Sequence, residues 1–196
     1  MSKAPKRPAS EILPIAQSLV KMLAPHCEKI ELAGSLRRQS KEVADIELVA
    51  IPKIEAMEIP VPGDLFGEKK SAQANRLWEA LDKLLDGKYI RAGEKYRAFV
   101  CPGQAVNVDL FTADQGNWGL IYLIRTGSAE FSQYVVTALG KNYRPSFEGW
   151  VRLAPENGPR FWGDDEKRTM PKLPTPTEEA VFEYAKLQYR EPWQRT

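Results

Sequence analysis

The segment ADIELVAIP, residues 44–52, alternates apolar side chains with the carboxylates of Asp45 and Glu47. Such alternation is typical of a half-buried strand, because successive side chains of a strand point to opposite faces of its sheet. Asp45 and Glu47 are two residues apart, so both carboxylates should lie on one face. By itself, an Asp-x-Glu pair on a strand is more often a solvated face than a reactive site.

A second alternating segment, AVNVDLF (105–111), carries a third carboxylate, Asp109, between the apolar residues Val108 and Leu110. If this strand lies beside the first, three acidic side chains come together and repel one another unless a cation neutralises them. Hard oxygen ligands favour Mg²⁺. Such a site can hold two ions about 3.5–4 Å apart, an arrangement that activates an attacking oxygen and stabilises a leaving phosphate.

The composition excludes several other chemistries. His26 is the single histidine, which largely excludes the usual zinc sites and histidine-dependent triads. Cys27 and Cys101 are too few for a disulfide scaffold and have no metal-ligand spacing. The formal net charge is only +2, and no segment approaches the roughly 18 apolar residues of a membrane span. Any catalysis would therefore depend on carboxylates, hydroxyls and basic groups.

Upstream of the first acidic strand, Gly34 and Ser35 stand at a predicted strand end and are followed by Arg37 and Arg38. A glycine at such a turn lets backbone amides approach an anion closely, and arginine donors match phosphate oxygens in pairs. A Gly-Ser pair alone is common in turns. G-S-x-R-R, separated by six residues from D-x-E on a strand, is much more specific and indicates phosphate binding next to the acids.

Hydrophobic periodicity and capping residues predict the remaining elements. Helices are predicted from Ser10 to about Pro25, over 71–87, over 117–128 with a break at Gly127, over 128–140 with Ser128 as N-cap, and over 177–187 with Thr177 as N-cap. Strands are predicted over 29–34, 44–52, 88–93, 96–102 and 105–113. Pro and Gly in residues 52–70 indicate a hairpin or loop, and those after Asn142 indicate a small lobe of short strands and loops.

Four motifs, in this order, make the chain resemble the X-family DNA polymerases: AGSLRRQSKEVADIELV, NVDLF, RTGSAEF and EEAVFEYAKLQYREP. The resemblance covers about residues 10–196, although the middle, roughly 52–106, matches only in pattern. It implies an α+β fold, with a nucleotidyltransferase palm made of a mixed β-sheet flanked by helices and a small C-terminal α+β lobe. The expected division is a basic flexible lead (1–10), the palm (11–120) and a lobe that contacts nucleotide and template (121–196).

The resemblance also implies roles for individual residues. Asp45, Glu47 and Asp109 would ligate two Mg²⁺ ions, and Asp109 would touch only the catalytic ion and help activate the primer 3′-hydroxyl. The residues expected to hold the nucleotide lie in two groups: Gly34, Ser35, Arg38 and the backbone at Ala44 at the triphosphate, and Arg125, Thr126, Gly127 and Ser128 near the incoming sugar.

The chain departs from the family pattern at several positions. Glu47 replaces the usual aspartate, so the metal geometry can shift and Mn²⁺ can substitute. Ile124 and Arg125 replace an aromatic pair that reads the sugar, and Ser132 and Val136 replace residues that contact the minor groove. We therefore expect weak discrimination between dNTPs and rNTPs.

Only about ten residues precede the first predicted helix, whereas gap-filling members of the family usually carry an N-terminal lyase domain. DNA binding would then depend on contacts with backbone phosphates, and the affinity would fall steeply as the salt concentration rises. The candidate DNA-binding residues are all basic: Lys88, Arg91, Lys95, Lys141, Arg144, Lys167 and Arg168.

The function expected from this resemblance is a DNA-directed DNA polymerase that adds dNTPs to a primer 3′-hydroxyl by two-metal-ion transfer, in gap filling or DNA repair. Its expected partners are DNA primer-template and dNTP, and no membrane association is expected. The protein is expected to be a monomer with an intracellular location, in the cytoplasm or nucleoid. A viral origin is left open. Two alternatives remain: a nucleotidyltransferase acting on a non-DNA acceptor, and a non-catalytic DNA-end-binding protein.

Overall fold

The computed structural model describes residues 5–60, 69–146, 149–153 and 170–196. The helices are α1 (Ala9–Leu23), α2 (Gly34–Arg37), α3 (Arg76–Leu85), α4 (Trp118–Thr126), α5 (Ala129–Leu139) and α6 (Glu178–Ala185). The strands are β1 (Arg7–Pro8), β2 (Cys27–Leu32), β3 (Glu42–Val43), β4 (Asp45–Pro52), β5 (Ile54–Pro60), β6 (Lys69–Asn75), β7 (Arg91–Ala92), β8 (Tyr96–Val100), β9 (Asn107–Thr112), β10 (Tyr143–Pro145), β11 (Val151–Leu153) and β12 (Lys172–Leu173).

The central feature is a mixed five-stranded sheet with the strand order β2-β4-β9-β8-β7. β4 and β9 are direct neighbours and run parallel, whereas the other pairs in this sheet are antiparallel. Helices cover the sheet, which confirms the expected α+β fold. The two strands that carry the predicted acidic residues are therefore adjacent.

One face of the sheet packs against α1 and α3. The alternating residues Ile46 and Leu48 of β4 and Val108 and Leu110 of β9 are fully buried on that face. They join the apolar stripe of the two helices in one core cluster: Ile12, Ala16, Leu19, Leu23, Leu77, Trp78, Leu81 and Leu85. Because side chains alternate between the two faces of a strand, the carboxylates of Asp45, Glu47 and Asp109 must point to the opposite face of the sheet.

Helix α4 links the sheet to the C-terminal elements. Trp118 packs with Val49 and Ile51 on the sheet face that carries the acids. Leu120 and Leu123, on another side of the same helix, belong to a second cluster: Phe131, Val135, Ala138 and Leu139 of α5, Val151, and Val181, Phe182 and Ala185 of α6. Helix α4 thus contributes to this C-terminal cluster and to a smaller cluster on the acidic face of the sheet, both separate from the core under α1 and α3.

The predicted N-caps of the last two helices are confirmed. The Ser128 hydroxyl accepts a hydrogen bond from the Phe131 backbone N–H at 3.1 Å, and the Thr177 hydroxyl accepts one from Ala180 at 3.4 Å. Each satisfies one of the backbone donors that a helix leaves free at its start.

The prediction of a helix over 71–87 is wrong at its N-terminal end. Residues 71–75 belong to β6, which pairs antiparallel with β5 in a separate two-stranded sheet. The helix begins at Arg76, after Asn75 accepts a hydrogen bond from the Trp78 backbone N–H. Pairing with β5 overrides the helix propensity of this Ala- and Gln-containing segment. The strand predicted over 88–93 is likewise only Arg91–Ala92.

In the part of the chain that the structure describes, no helix combines the length and the apolar character needed to cross a membrane.

Candidate active site

The three predicted carboxylates lie on one face of the sheet. In the parallel pair of β4 and β9, Glu47 is in register with Asp109, and Asp45 is in register with Asn107. Side chains in register on adjacent strands project from the same face, so Glu47 and Asp109 are lateral neighbours and Asp45 lies two residues along. All three side chains are half-buried.

The Glu47 carboxyl has a strongly perturbed environment. Burial, reinforced by the negative charges of Asp45 and Asp109, raises the pKa of Glu47 to about 7. The nearby guanidinium groups of Arg38 and Arg125 oppose this rise and do not cancel it. Burial and the neighbouring carboxylates thus disfavour the ionised form of Glu47.

Gly34 lies directly against the Glu47 side chain. The Ala33 backbone N–H donates to the Glu47 carbonyl oxygen at 2.8 Å, which brings the start of α2 beside β4. Gly34 has a φ of +58°, and a Cβ at this position would overlap the Glu47 carboxylate. The backbone conformation therefore favours glycine, and a side chain at this position would have to displace the Glu47 carboxylate.

Asp109 is held by a tyrosine from the neighbouring strand. The Tyr96 hydroxyl donates to Asp109 Oδ1 at 2.6 Å. Burial and this hydrogen bond raise the pKa of Tyr96 to about 12, so its hydroxyl remains a donor at neutral pH. The Tyr96 ring also stacks on Phe111, with 4.7 Å between ring centroids.

Two arginines lie close to the carboxylates. The Arg125 guanidinium sits over the Phe111 ring at 3.8 Å, and burial lowers the pKa of Arg125, an effect that Glu47 and Asp109 partly offset. Arg38 donates to the Thr126 carbonyl oxygen at 2.5 Å, which links α2 to the end of α4. The acidic face thus has cationic side chains at its border.

The predicted nucleotide-binding residues occupy two adjacent turns. Gly34, Ser35 and Arg38 lie in or directly after α2, and Ala44 directly precedes β4. Arg125 and Thr126 end α4, and Gly127 and Ser128 join it to α5. The side chains of Thr126 and Ser128 have structural partners: the Thr126 hydroxyl accepts from Arg37 at 2.7 Å, and Ser128 caps α5.

The sequence did not reveal a buried ion-pair network that joins these turns to the C-terminal segment. Arg37 forms two hydrogen bonds of 2.7 Å to the Glu178 carboxylate of α6, and Arg195 forms two more, of 2.5 and 3.2 Å. Arg195 is completely buried. Burial alone would raise the pKa of Glu178, but the hydrogen bonds from both arginines outweigh it and hold that pKa below its usual value.

The candidate DNA-binding residues are dispersed over the surface. Lys88, Arg91, Lys95 and Lys141 are exposed, and Lys88 forms an exposed ion pair with Asp86. Arg144 is half-buried and donates to backbone carbonyl oxygens of Gly140 and Tyr143. Lys167 and Arg168 lie outside the described residues.

Carboxylates are the donors that Mg²⁺ prefers, and three of them share this face of the sheet. Within residues 5–60, 69–146, 149–153 and 170–196, however, no three Asp, Glu, His or Cys side chains form a group that could hold a metal ion. Asp45, Glu47 and Asp109 offer carboxylate oxygens on the same face of the sheet. To bind one ion together, their side chains would have to move closer to one another.

Sequence reasoning also missed Tyr96. Tyr96 shares a sheet face with Asp109 because of the register in which β8 pairs with β9. The sequence does not specify that register, so it carries no signal for the contact. Glu178 was visible only as the first residue of the C-terminal motif, and Arg195 lies beyond the end of that motif.

The chain matches no protein-family model, and no curated protein matches it at a significant level.

Proposed function

We propose that this protein is a template-directed nucleotidyltransferase of the X-family DNA polymerase type, which extends a primer 3′-hydroxyl with dNTPs in gap filling or DNA repair. The observation that carries the proposal is the register of Glu47 with Asp109 on adjacent parallel strands, with Asp45 on the same face. This juxtaposition joins two motifs that are 62 residues apart in the sequence.

In this mechanism, Asp45, Glu47 and Asp109 would hold two Mg²⁺ ions. Bound there, the ions would lower the pKa of the attacking hydroxyl and neutralise charge on the phosphates. The primer O3′ attacks the α-phosphorus, the bond to the bridging oxygen of the β-phosphate breaks, and pyrophosphate leaves. The 3′-hydroxyl gives up its proton during the attack, and Asp109, the carboxylate assigned to the catalytic ion, assists this loss.

The chain's remaining residues would orient the nucleotide. Gly34 and Ser35 would present the triphosphate with backbone and hydroxyl donors, and Arg38 with a guanidinium that matches phosphate geometry. The turn 125–128 would lie under the sugar. Rate enhancement would come from positioning and charge neutralisation.

The contact between the two turns supports this assignment. Arg38 bonds the Thr126 carbonyl, and the Arg37–Glu178–Arg195 network anchors α2 to α6 and to the C-terminal segment. A nucleotidyltransferase acting on a non-DNA acceptor would have no evident need for the turn 125–128 and the C-terminal motif that this network joins.

The test is primer extension on gapped and blunt DNA with Mg²⁺ or Mn²⁺. The wild-type chain is compared with Asp109→Asn and with the matched control Asp114→Asn, an exposed carboxylate just past β9. We expect template-dependent extension by the wild type and the control, and a loss of at least about 100-fold in Asp109→Asn.

Three other results would contradict the proposal. Extension that survives in Asp109→Asn removes that residue from catalysis. DNA binding without nucleotide transfer in any of the three proteins identifies a non-catalytic DNA-end-binding protein. Nucleotide transfer to an acceptor other than DNA, with no primer extension, identifies a different nucleotidyltransferase.

A further inference from the structure

Tyr96 lies beside Asp109 on the acidic face. In the antiparallel pair of β8 and β9, Tyr96 is opposite Phe111, and Ala98 is opposite Asp109. Tyr96 and Asp109 are thus diagonal neighbours on one face, within reach of a long aromatic side chain. Ala98 is small and 5% exposed, so it leaves room for the tyrosine to reach the carboxylate.

The contact has the geometry of a strong hydrogen bond. The 2.6 Å between the Tyr96 hydroxyl and Asp109 Oδ1 is typical of a hydroxyl that donates to an ionised carboxylate. The ring has little freedom to move away, because it stacks on Phe111 at an interplanar angle of 18°. In the described part of the chain, Tyr96 is the only side chain that donates a hydrogen bond to Asp109.

We propose that Tyr96 is the positioning residue for Asp109: its hydroxyl holds Oδ1, which leaves Oδ2 as the oxygen available to a cation. The proposal rests on the proposed function of this face. Without the hydroxyl, the Asp109 carboxylate could rotate about its χ2 angle and present either oxygen, or both. Partners that orient a ligating carboxylate typically change metal affinity or activity by about 10–100-fold when removed.

The variant Tyr96→Phe tests this role because it removes the hydroxyl and keeps the stacked ring. We expect kcat for primer extension to fall about 10-fold with the KM for dNTP unchanged. We also expect Mn²⁺ binding, measured by electron paramagnetic resonance without any turnover, to weaken about 10-fold at one site.

The chain offers a matched control. The Tyr89 hydroxyl donates to Asp82 Oδ1 at the same distance of 2.6 Å, on an exposed surface away from the predicted acidic residues. Tyr89→Phe should therefore leave kcat, KM and Mn²⁺ affinity unchanged. In an Asp109→Asn background, Tyr96→Phe should cause no further loss of Mn²⁺ affinity, because the two residues act together.

Wild-type kcat and Mn²⁺ affinity in a folded Tyr96→Phe protein would overturn the inference. An equal loss of kcat in Tyr96→Phe and Tyr89→Phe would also overturn it, because a general structural effect would then explain the loss. Failure of the proposed function is distinguishable: the wild type would then transfer no nucleotide, whereas weakened Mn²⁺ binding in Tyr96→Phe alone would still support the positioning role.

Discussion

Gly34 is the residue that most directly sets the position of the Glu47 carboxylate. Its φ of +58° strains an L side chain, and a Cβ there would overlap the Glu47 carboxylate and displace it. Gly103 has a similar φ of +70°, but nothing lies within 4 Å of a Cβ built there. The two glycines therefore separate the cost of backbone conformation from the cost of displacing Glu47.

We predict that Gly34→Ala and Gly103→Ala both lose roughly 1–2 kcal/mol of folding free energy, because an L side chain is strained at these φ values. Only Gly34→Ala should lose nucleotide transfer, by about 100-fold, since it displaces a proposed metal ligand. Urea unfolding and single-nucleotide extension measure the two effects. Equal extension rates in both variants would contradict the role given to Gly34.

Sugar selectivity is a second property of individual residues. Arg125 stacks on Phe111 beside the acids, and Ile124 packs against the C-terminal cluster, so neither offers the aromatic surface expected of a sugar-reading pair. We predict that kcat/KM values for rNTP and dNTP agree within about tenfold, or about 1.4 kcal/mol. Strong rejection of rNTPs in single-turnover extension would refute this prediction.

At the level of elements, α6 is tied to α2 by an ion pair that is almost fully buried. The side chain of Glu178 is 7% exposed and satisfies two arginines, so removing its charge leaves both guanidiniums partly unpaired. We predict that Glu178→Gln loses about 3 kcal/mol of unfolding free energy at pH 7. The exposed neighbour Glu179→Gln should lose almost nothing.

The same pair predicts a pH dependence. Because the folded-state pKa of Glu178 lies below its unfolded value of about 4.3, its stabilisation is complete above that value and is lost as pH falls through the folded-state pKa. The difference in unfolding free energy between wild type and Glu178→Gln should therefore shrink below about pH 4. A constant difference from pH 7 to pH 3 would show that the ion pair does not stabilise the fold.

Some of the secondary-structure elements can be predicted from the sequence and others cannot. The strands at 45–52 and 107–112 are predictable because alternating burial imposes a period of two. The segment 71–75 is not, because its strand conformation depends on pairing with the separate strand β5. The adjacency of β4 and β9 is a long-range pairing, which the sequence suggests only through its acids.

The candidate site divides in the same way. The three carboxylates and Gly34 follow from local spacing. Tyr96 and Glu178 do not, because each becomes part of the site through a partner in a different element, at 13 and 141 residues' separation. Chain-distant hydrogen bonds of this kind leave no local periodicity in the sequence.

For the whole molecule, the modest net charge makes the distribution of basic groups decisive for DNA binding. Five candidates are described, of which Arg91 and Lys95 lie at the β7–β8 turn next to Tyr96. If all five contact phosphate, log K should fall with log [salt] with a slope of about −4.5. The measurement is fluorescence anisotropy with gapped DNA at 50–300 mM salt.

Single substitutions sharpen this prediction. Lys95→Gln and Arg91→Gln should each reduce the magnitude of the slope by about one. Lys21→Gln should leave it unchanged, since Lys21 lies on α1, which covers the sheet face opposite the acids. A slope of log K against log [salt] near zero would contradict phosphate binding at the β7–β8 turn. An equal change of slope in Lys21→Gln would also contradict it.

The most direct measurement is anomalous diffraction from crystals of this chain grown with Mn²⁺ and a non-hydrolysable dNTP. We predict two Mn²⁺ peaks on the shared face of β4 and β9, coordinated by Asp45, Glu47 and Asp109, with the triphosphate against Gly34 and Ser35. Peaks elsewhere, or none at these three carboxylates at saturating Mn²⁺, would contradict it.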